Sequence, residues 1–75
     1  MSGVYVGQIY NSDDGIYVVT QISVSLIGRE IASIVYNNGA SDYWSCDYIE
    51  HTGKLLAEYD TWQEAVNSPE FKGEK

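Results

Sequence analysis

The sequence predicts a mainly β fold: a five-stranded antiparallel meander curled into a small barrel, with a short C-terminal helix. Three observations carry this expectation. Clusters of Asn, Asp and Gly punctuate the chain at intervals of roughly ten residues, as turns do in all-β domains. The stretches between them hold most of the seven Ile and seven Val and many of the seven Tyr, residue types suited to a pleated, half-buried surface. The hydrophobic period departs from two only after Tyr59.

Taken in order, residues 4 to 10 read as a first strand, ended by Asn11-Ser12-Asp13-Asp14-Gly15, where Asn, Asp and Gly favour a turn. Residues 16 to 27 form the longest strand. From Val18 the even positions are Val18, Thr20, Ile22, Val24 and Leu26, and the odd ones include Gln21, Ser23 and Ser25, so the even face is expected to be the core. Its length calls for a bend or a bulge, because one straight strand would overrun so small a domain. Gly28-Arg29-Glu30 makes the next turn, and 31 to 36 the third strand. Asn37-Asn38-Gly39 is a hairpin signal and predicts a type I′ turn. The fourth strand is placed at 42 to 49, with Trp44, Cys46 and Tyr48 inward and Tyr43, Asp47 and Ile49 outward; after His51-Thr52-Gly53 a fifth covers 54 to 59.

Thr61-Trp62-Gln63-Glu64 then fits a capping box, in which the Thr61 hydroxyl accepts from a backbone amide and Glu64 reaches back to the cap. Trp62, Ala65, Val66 and Pro69 fall on one face of a helix over 62 to 67. Pro69 ends that helix or opens a fresh turn capped by Ser68, with Phe71 returning to the core. The tail from 73 to 75 is expected to fray. The whole chain, residues 1 to 75, is one domain, too short for a second core.

Eleven Asp and Glu against four Lys and Arg give a formal charge of −7. A surface field of that sign disfavours direct binding to nucleic acid or to an anionic membrane, both of which are held by clustered bases. Arg29, Lys54, Lys72 and Lys75 are scattered instead. A single cysteine excludes an intrachain disulfide, and the expectation is a reducing cytoplasm.

Gly7-Gln8-Ile9-Tyr10, Gly15-Ile16-Tyr17-Val18-Val19, Ile34-Val35-Tyr36 and Tyr43-Trp44 together resemble the pattern of small SH3-like barrel proteins, many of them encoded by bacteriophages. The resemblance covers about the first fifty residues and leaves the helical tail outside it. It implies a binding module, often a phage accessory protein that inhibits or redirects a host protein in the host cytoplasm, and it carries no catalytic residue.

Cys46 and His51 could form a thiolate and its base, but the strand places Cys46 among inward residues and His51 in a turn, so an enzyme is not expected. The same pair with Glu50 gives too few ligands for zinc, and Asp13-Asp14-Gly15 lacks the alternating ligands of a calcium loop. No metal and no cofactor is expected. What stands out is acids interleaved with aromatics over Asp42-Tyr43-Trp44-Ser45-Cys46-Asp47-Tyr48-Ile49-Glu50 and Glu58-Tyr59-Asp60. Tyrosine beside acids suits docking on a basic protein surface, so the expected contact residues are Tyr43, Asp47, Ile49, Glu50, Asp42 and Tyr59. A partner that uses its basic site for nucleic acid would then be met by a mimic of phosphate charge. The alternative is a self-associating structural component of a particle, joined through an edge strand or the aromatic strip.

Overall fold

A computed structural model describes residues 3–73. Five strands form one antiparallel sheet: β1 (Gln8–Ser12), β2 (Gly15–Val24), β3 (Glu30–Tyr36), β4 (Ser41–Ser45) and β5 (Lys54–Glu58), in the order β4-β3-β2-β1-β5. Helix α1 (Cys46–Thr52) joins β4 to β5, and two single-turn helices, α2 (Trp62–Val66) and α3 (Pro69–Lys72), follow β5. The meander is as expected, but the sheet does not close, since β4 and β5 lie at opposite edges.

The core answers to the pleat. Successive side chains on a strand point to opposite faces, and here neighbours in sequence enter different clusters. Tyr10, Tyr17, Val19, Ala32 and Ile34 pack with Cys46 and Ile49 of α1, whereas Ile9 and Val18 pack with Ala65 of α2 and Phe71 of α3. The sheet is therefore a middle layer with helix on both sides over its first half.

The even face of β2 is not the core face throughout. Val19 pairs with Ile34 and Gln21 with Ser33, which leaves Thr20 as an extra residue whose hydroxyl donates to the Ser33 carbonyl at 3.2 Å. This bulge exchanges the faces, so Ile22 joins Tyr17 and Val19 against α1. The strand also stops at Val24, three residues before the expected end, and Val24 and Leu26 are exposed rather than buried.

Two other expectations are corrected. The fourth strand ends at Ser45, because the Ser45 hydroxyl accepts from the Tyr48 amide and caps a helix with Asp47 in its first turn and His51 in its last. The first strand starts at Gln8, four residues late, since Tyr5 to Gln8 form a turn closed by the Gln8 amide donating to the Tyr5 carbonyl at 3.2 Å. The turn after β3 is a hairpin turn as read, but only Gly39 has positive φ (93°), giving a three-residue loop rather than type I′.

The end of the chain follows its local chemistry. Thr61 caps α2 by accepting from the Glu64 amide, although Glu64 meets the Thr61 hydroxyl at 3.4 Å rather than the cap amide. Ser68 caps α3, Pro69 opens it, and Phe71 is buried as expected. Of the tail, residues 74 and 75 lie outside the described residues.

Gln8 fastens the N-terminal turn to the sheet. Its buried amide donates to the Gly3 carbonyl at 3.1 Å and to Glu58 at 2.7 Å, while its oxygen accepts from the Tyr5 amide and the Tyr10 hydroxyl. All of that amide's strong bonding capacity is used. Gly7 beside it donates to the Val19 carbonyl and accepts from the Tyr59 amide, holding β5 to β1. A Cβ there would fall 2.2 Å from the Tyr59 carbonyl oxygen, at a φ of +94°. Gly7→Ala is therefore expected to cost about 2 kcal/mol or more and to lower the melting temperature by roughly 10 °C; an unchanged melting curve would contradict this placement.

Candidate functional site

The most conspicuous exterior feature is the tip of the β2–β3 hairpin. The Ser25 amide donates to the Arg29 carbonyl at 2.8 Å, the Gly28 amide to the Ser25 carbonyl at 2.9 Å, and the Arg29 amide to the Ser25 hydroxyl at 3.1 Å. Gly28, at φ +80°, supplies the left-handed position that closes such a three-residue loop. Leu26 and Ile27 occupy the two central positions before it. Leu26 is wholly exposed, Ile27 is 81% exposed and Val24 below them 66% exposed. Turns ordinarily carry Asn, Asp, Ser or Gly at such places. Burying each of these side chains would contribute about 1.5 to 3 kcal/mol, so the fold forgoes a substantial gain by holding them in water.

The protein measures 39 × 24 × 21 Å. Beside the tip, Ile27, Arg29 and Glu30 border a hollow whose far wall is Cys46 and Asp47 at the start of α1. Sequence reasoning placed Leu26 in the core and Ile27 in a strand. The available signal was Ser25-Leu26-Ile27-Gly28 itself, a capped turn with aliphatic residues in its centre.

The residues expected to form the contact surface do not make one strip. Tyr43 is exposed at 71% on edge strand β4, and Asp42 beside it turns its carboxylate onto the Tyr43 amide at 2.8 Å. Asp47 and Glu50 are exposed on α1, Glu50 accepting from the Gly3 amide. Ile49 is a correction: helix α1 turns it fully into the core beside Tyr10 and Tyr17, so it offers nothing to a partner. Tyr59 is half-buried, and its hydroxyl donates to Glu70, which ties the end of β5 to α3 and raises the phenol's pKa. That bond gives Tyr59 a role in holding the fold.

Trp44 and Tyr48, expected inward, are half-buried and exposed respectively. Their rings stack at 4.7 Å with 28° between planes, and the Trp44 indole N–H donates to the Tyr36 hydroxyl at 3.2 Å. Tyr36 in turn meets Tyr17 edge-on at 5.5 Å, and Tyr17 stacks on Tyr10 at 5.8 Å. An aromatic ladder thus runs from the centre of the sheet to its surface.

Cys46 and His51 are not brought into a common cleft. Cys46 is 1% exposed under α1, while His51 is exposed and its Nδ1 lies 2.7 Å from the Asp47 carbonyl. Among the described residues, no group of three or more His, Cys, Asp and Glu is placed to hold a metal ion, and no helix is long and apolar enough to cross a membrane. Arg29 and Lys54 stand at opposite ends of β2, and Lys72 is on α3, so the described bases do not converge. No protein-family model, curated protein or solved structure matches this chain.

Two measurements follow from this geometry. The Cys46 thiol should react with a water-soluble thiol reagent only after denaturant is added; prompt labelling of the folded protein would show an open thiol instead. Burial, reinforced by Glu50 and Glu58, pushes the Tyr10 phenol up to about 12. A phenol held neutral in the fold but free to ionise near pH 10 when unfolded makes stability fall as pH rises from about 10 to 12. Unfolding midpoints that stayed level across that interval would contradict the burial of Tyr10.

Proposed function

We propose that this protein is a small acidic binding module that docks on a partner protein with a basic surface, leading with the β2–β3 hairpin tip. The observation that carries the reading is the tip itself: Val24, Leu26 and Ile27 exposed on a turn fixed by three hydrogen bonds. A preordered apolar projection loses less conformational entropy when it enters a pocket than a mobile loop would, which lowers the cost of binding. The net charge of −7 supports a basic partner, since opposite fields speed encounter and reject other acidic proteins.

The contribution of the acids distinguishes this module from a purely apolar plug. Asp42 is exposed on edge strand β4, and Asp47 and Glu50 are exposed on α1. Where the partner's basic site serves nucleic acid, occupancy by this protein excludes the nucleic acid, which is inhibition by mimicry of phosphate charge. The resemblance of the first fifty or so residues to small SH3-like phage proteins fits an accessory role of this kind, in which a host protein is inhibited or redirected.

A second reading, self-association, is favoured by Leu55 and Leu56, both exposed on edge strand β5. A bulge at Leu56 and the charge of Lys54 blunt that edge, however, as natural sheets do to avoid pairing between copies. Sedimentation of the pure protein separates the two, a stable dimer or ring lost on Leu55→Lys favouring self-association.

Capture of a partner from bacterial lysate on the immobilised protein, at about 50 and 200 mM salt, tests the main reading. Capture should weaken at the higher salt and be lost for the Leu26→Ser/Ile27→Ser variant. Because both side chains already stand in water, that variant should melt within about 0.5 kcal/mol of the parent. Retention of the same partner by the variant would overturn the reading.

A further inference from the structure

A slot opens at the end of the sheet opposite the hairpin tip. It is bounded by Ser12, Asp13 and Asp14 of the β1–β2 turn, by Trp44 of β4, and by Tyr48 and Thr52 of α1, with Tyr17 at its base. Asp13 and Asp14 are exposed, so their carboxylates stand at the mouth. The small polar groups of the rim are already engaged: Ser12 donates to the Gly15 carbonyl and accepts from the Asp14 amide, and Thr52 donates to the Tyr48 carbonyl.

Tyr17 is different. It is 2% exposed, yet its hydroxyl has no hydrogen-bond partner among the described residues, whereas the neighbouring Tyr10 hydroxyl donates to Gln8 and the Tyr36 hydroxyl accepts from Trp44. The Tyr17 oxygen lies 2.9 Å from where a Cβ on Gly53 would sit, next to Thr52 at the inner end of the slot. Native folds rarely leave a buried hydroxyl unsatisfied, because it has given up water without recompense. Burial also pushes the Tyr17 phenol well above its ordinary pKa, so it remains a neutral hydroxyl able to accept a hydrogen bond.

The chemistry of the lining selects its ligand. Two carboxylates at the mouth reject anions, and the faces of Trp44 and Tyr48 attract a cation while covering an aliphatic stem. From this lining we infer that the slot receives the side chain of a lysine or arginine from the partner protein, its stem along Trp44 and Tyr48, its N–H on the Tyr17 hydroxyl, and its charge in the field of the Asp13 and Asp14 carboxylates. The inference rests on the protein-binding reading and names what part of a basic partner is read. With the hairpin tip at the other end of β2, it gives the module two separate points of attachment.

The test uses the full chain labelled with nitrogen-15 and the capped peptides acetyl-Gly-Lys-Gly-amide and acetyl-Gly-Arg-Gly-amide, with the Nε-acetylated lysine peptide as neutral control. The protein has two tryptophans, so the Trp44 and Trp62 indole N–H signals report on the slot and on a distant surface. The lysine and arginine peptides should shift Trp44 saturably and leave Trp62 still, and the neutral peptide should do nothing. Asp13→Asn/Asp14→Asn should weaken binding at least about tenfold. Tyr17→Phe should weaken it several-fold without lowering the melting temperature, an outcome that a purely structural tyrosine would not give. A motionless Trp44 signal, equal response to the neutral peptide, or unchanged affinity in the double Asn variant would each overturn the inference. The tip is untouched by these peptides, so a protein that ignores them yet still captures a partner through Leu26 and Ile27 loses the slot and keeps the binding function.

Discussion

One extra residue in the longest strand governs how this chain divides its side chains between inside and outside. Before Thr20, β2 buries both faces, Tyr17 and Val19 against α1 and Val18 against α2 and α3. At Thr20 the pleat slips by one against β3, and the hydroxyl of the extra residue takes the carbonyl opposite it. Beyond it, Ile22 continues the α1 side while Gln21 and Ser23 turn to water. A sheet in a chain of 75 residues cannot be covered on both sides along its whole length, because the helices left to cover it are too short. The bulge marks where double coverage stops.

The exterior follows from that division. Past the bulge, the hairpin runs out beyond its neighbours and ends in an apolar turn whose side chains are exposed, while the aromatic ladder from Tyr10 to Tyr48 reaches the surface at the other end of β2. Between these ends the surface is acidic and bears isolated tyrosines such as Tyr43. Charge brings a basic partner near, and the two ends of β2 supply the groups with shape. The unsatisfied Tyr17 hydroxyl and the uncovered Leu26 are alike in this respect, since each is a place where the isolated fold leaves stability ungained.

The elements set by local chemistry were legible in the sequence. The Asn37-Asn38-Gly39 hairpin, the Thr61 cap, the Ser68-Pro69 restart and the return of Phe71 to the core all rest on residues whose backbone preferences act within four positions. Helix α1 was not, because Trp44, Cys46 and Tyr48 alternate with polar residues just as a strand would. Cys46 and Ile49, three apart and both buried, satisfy a helix equally, and the cap at Ser45, the acid at Asp47 and the glycine at position 53 decide for it. Ile49 consequently passed from the expected surface to the core. The Thr20 bulge could be anticipated from strand length but not located, since a Thr on either face of β2 is unremarkable until its partner across the sheet is known. Reading the even face as core to its end carried Leu26 inside, and so hid the hairpin tip.

Deletion of Thr20 tests this division most directly. Without the extra residue, Gln21 follows Val19 directly and still faces Ser33, and Ile22 still faces Ala32 on the α1 side, so the shortened chain should keep its cooperative thermal transition within a few degrees of the parent. A Thr20-deleted protein that lost its cooperative transition would contradict the account, because Thr20 would then not be the residue that the pleat leaves over.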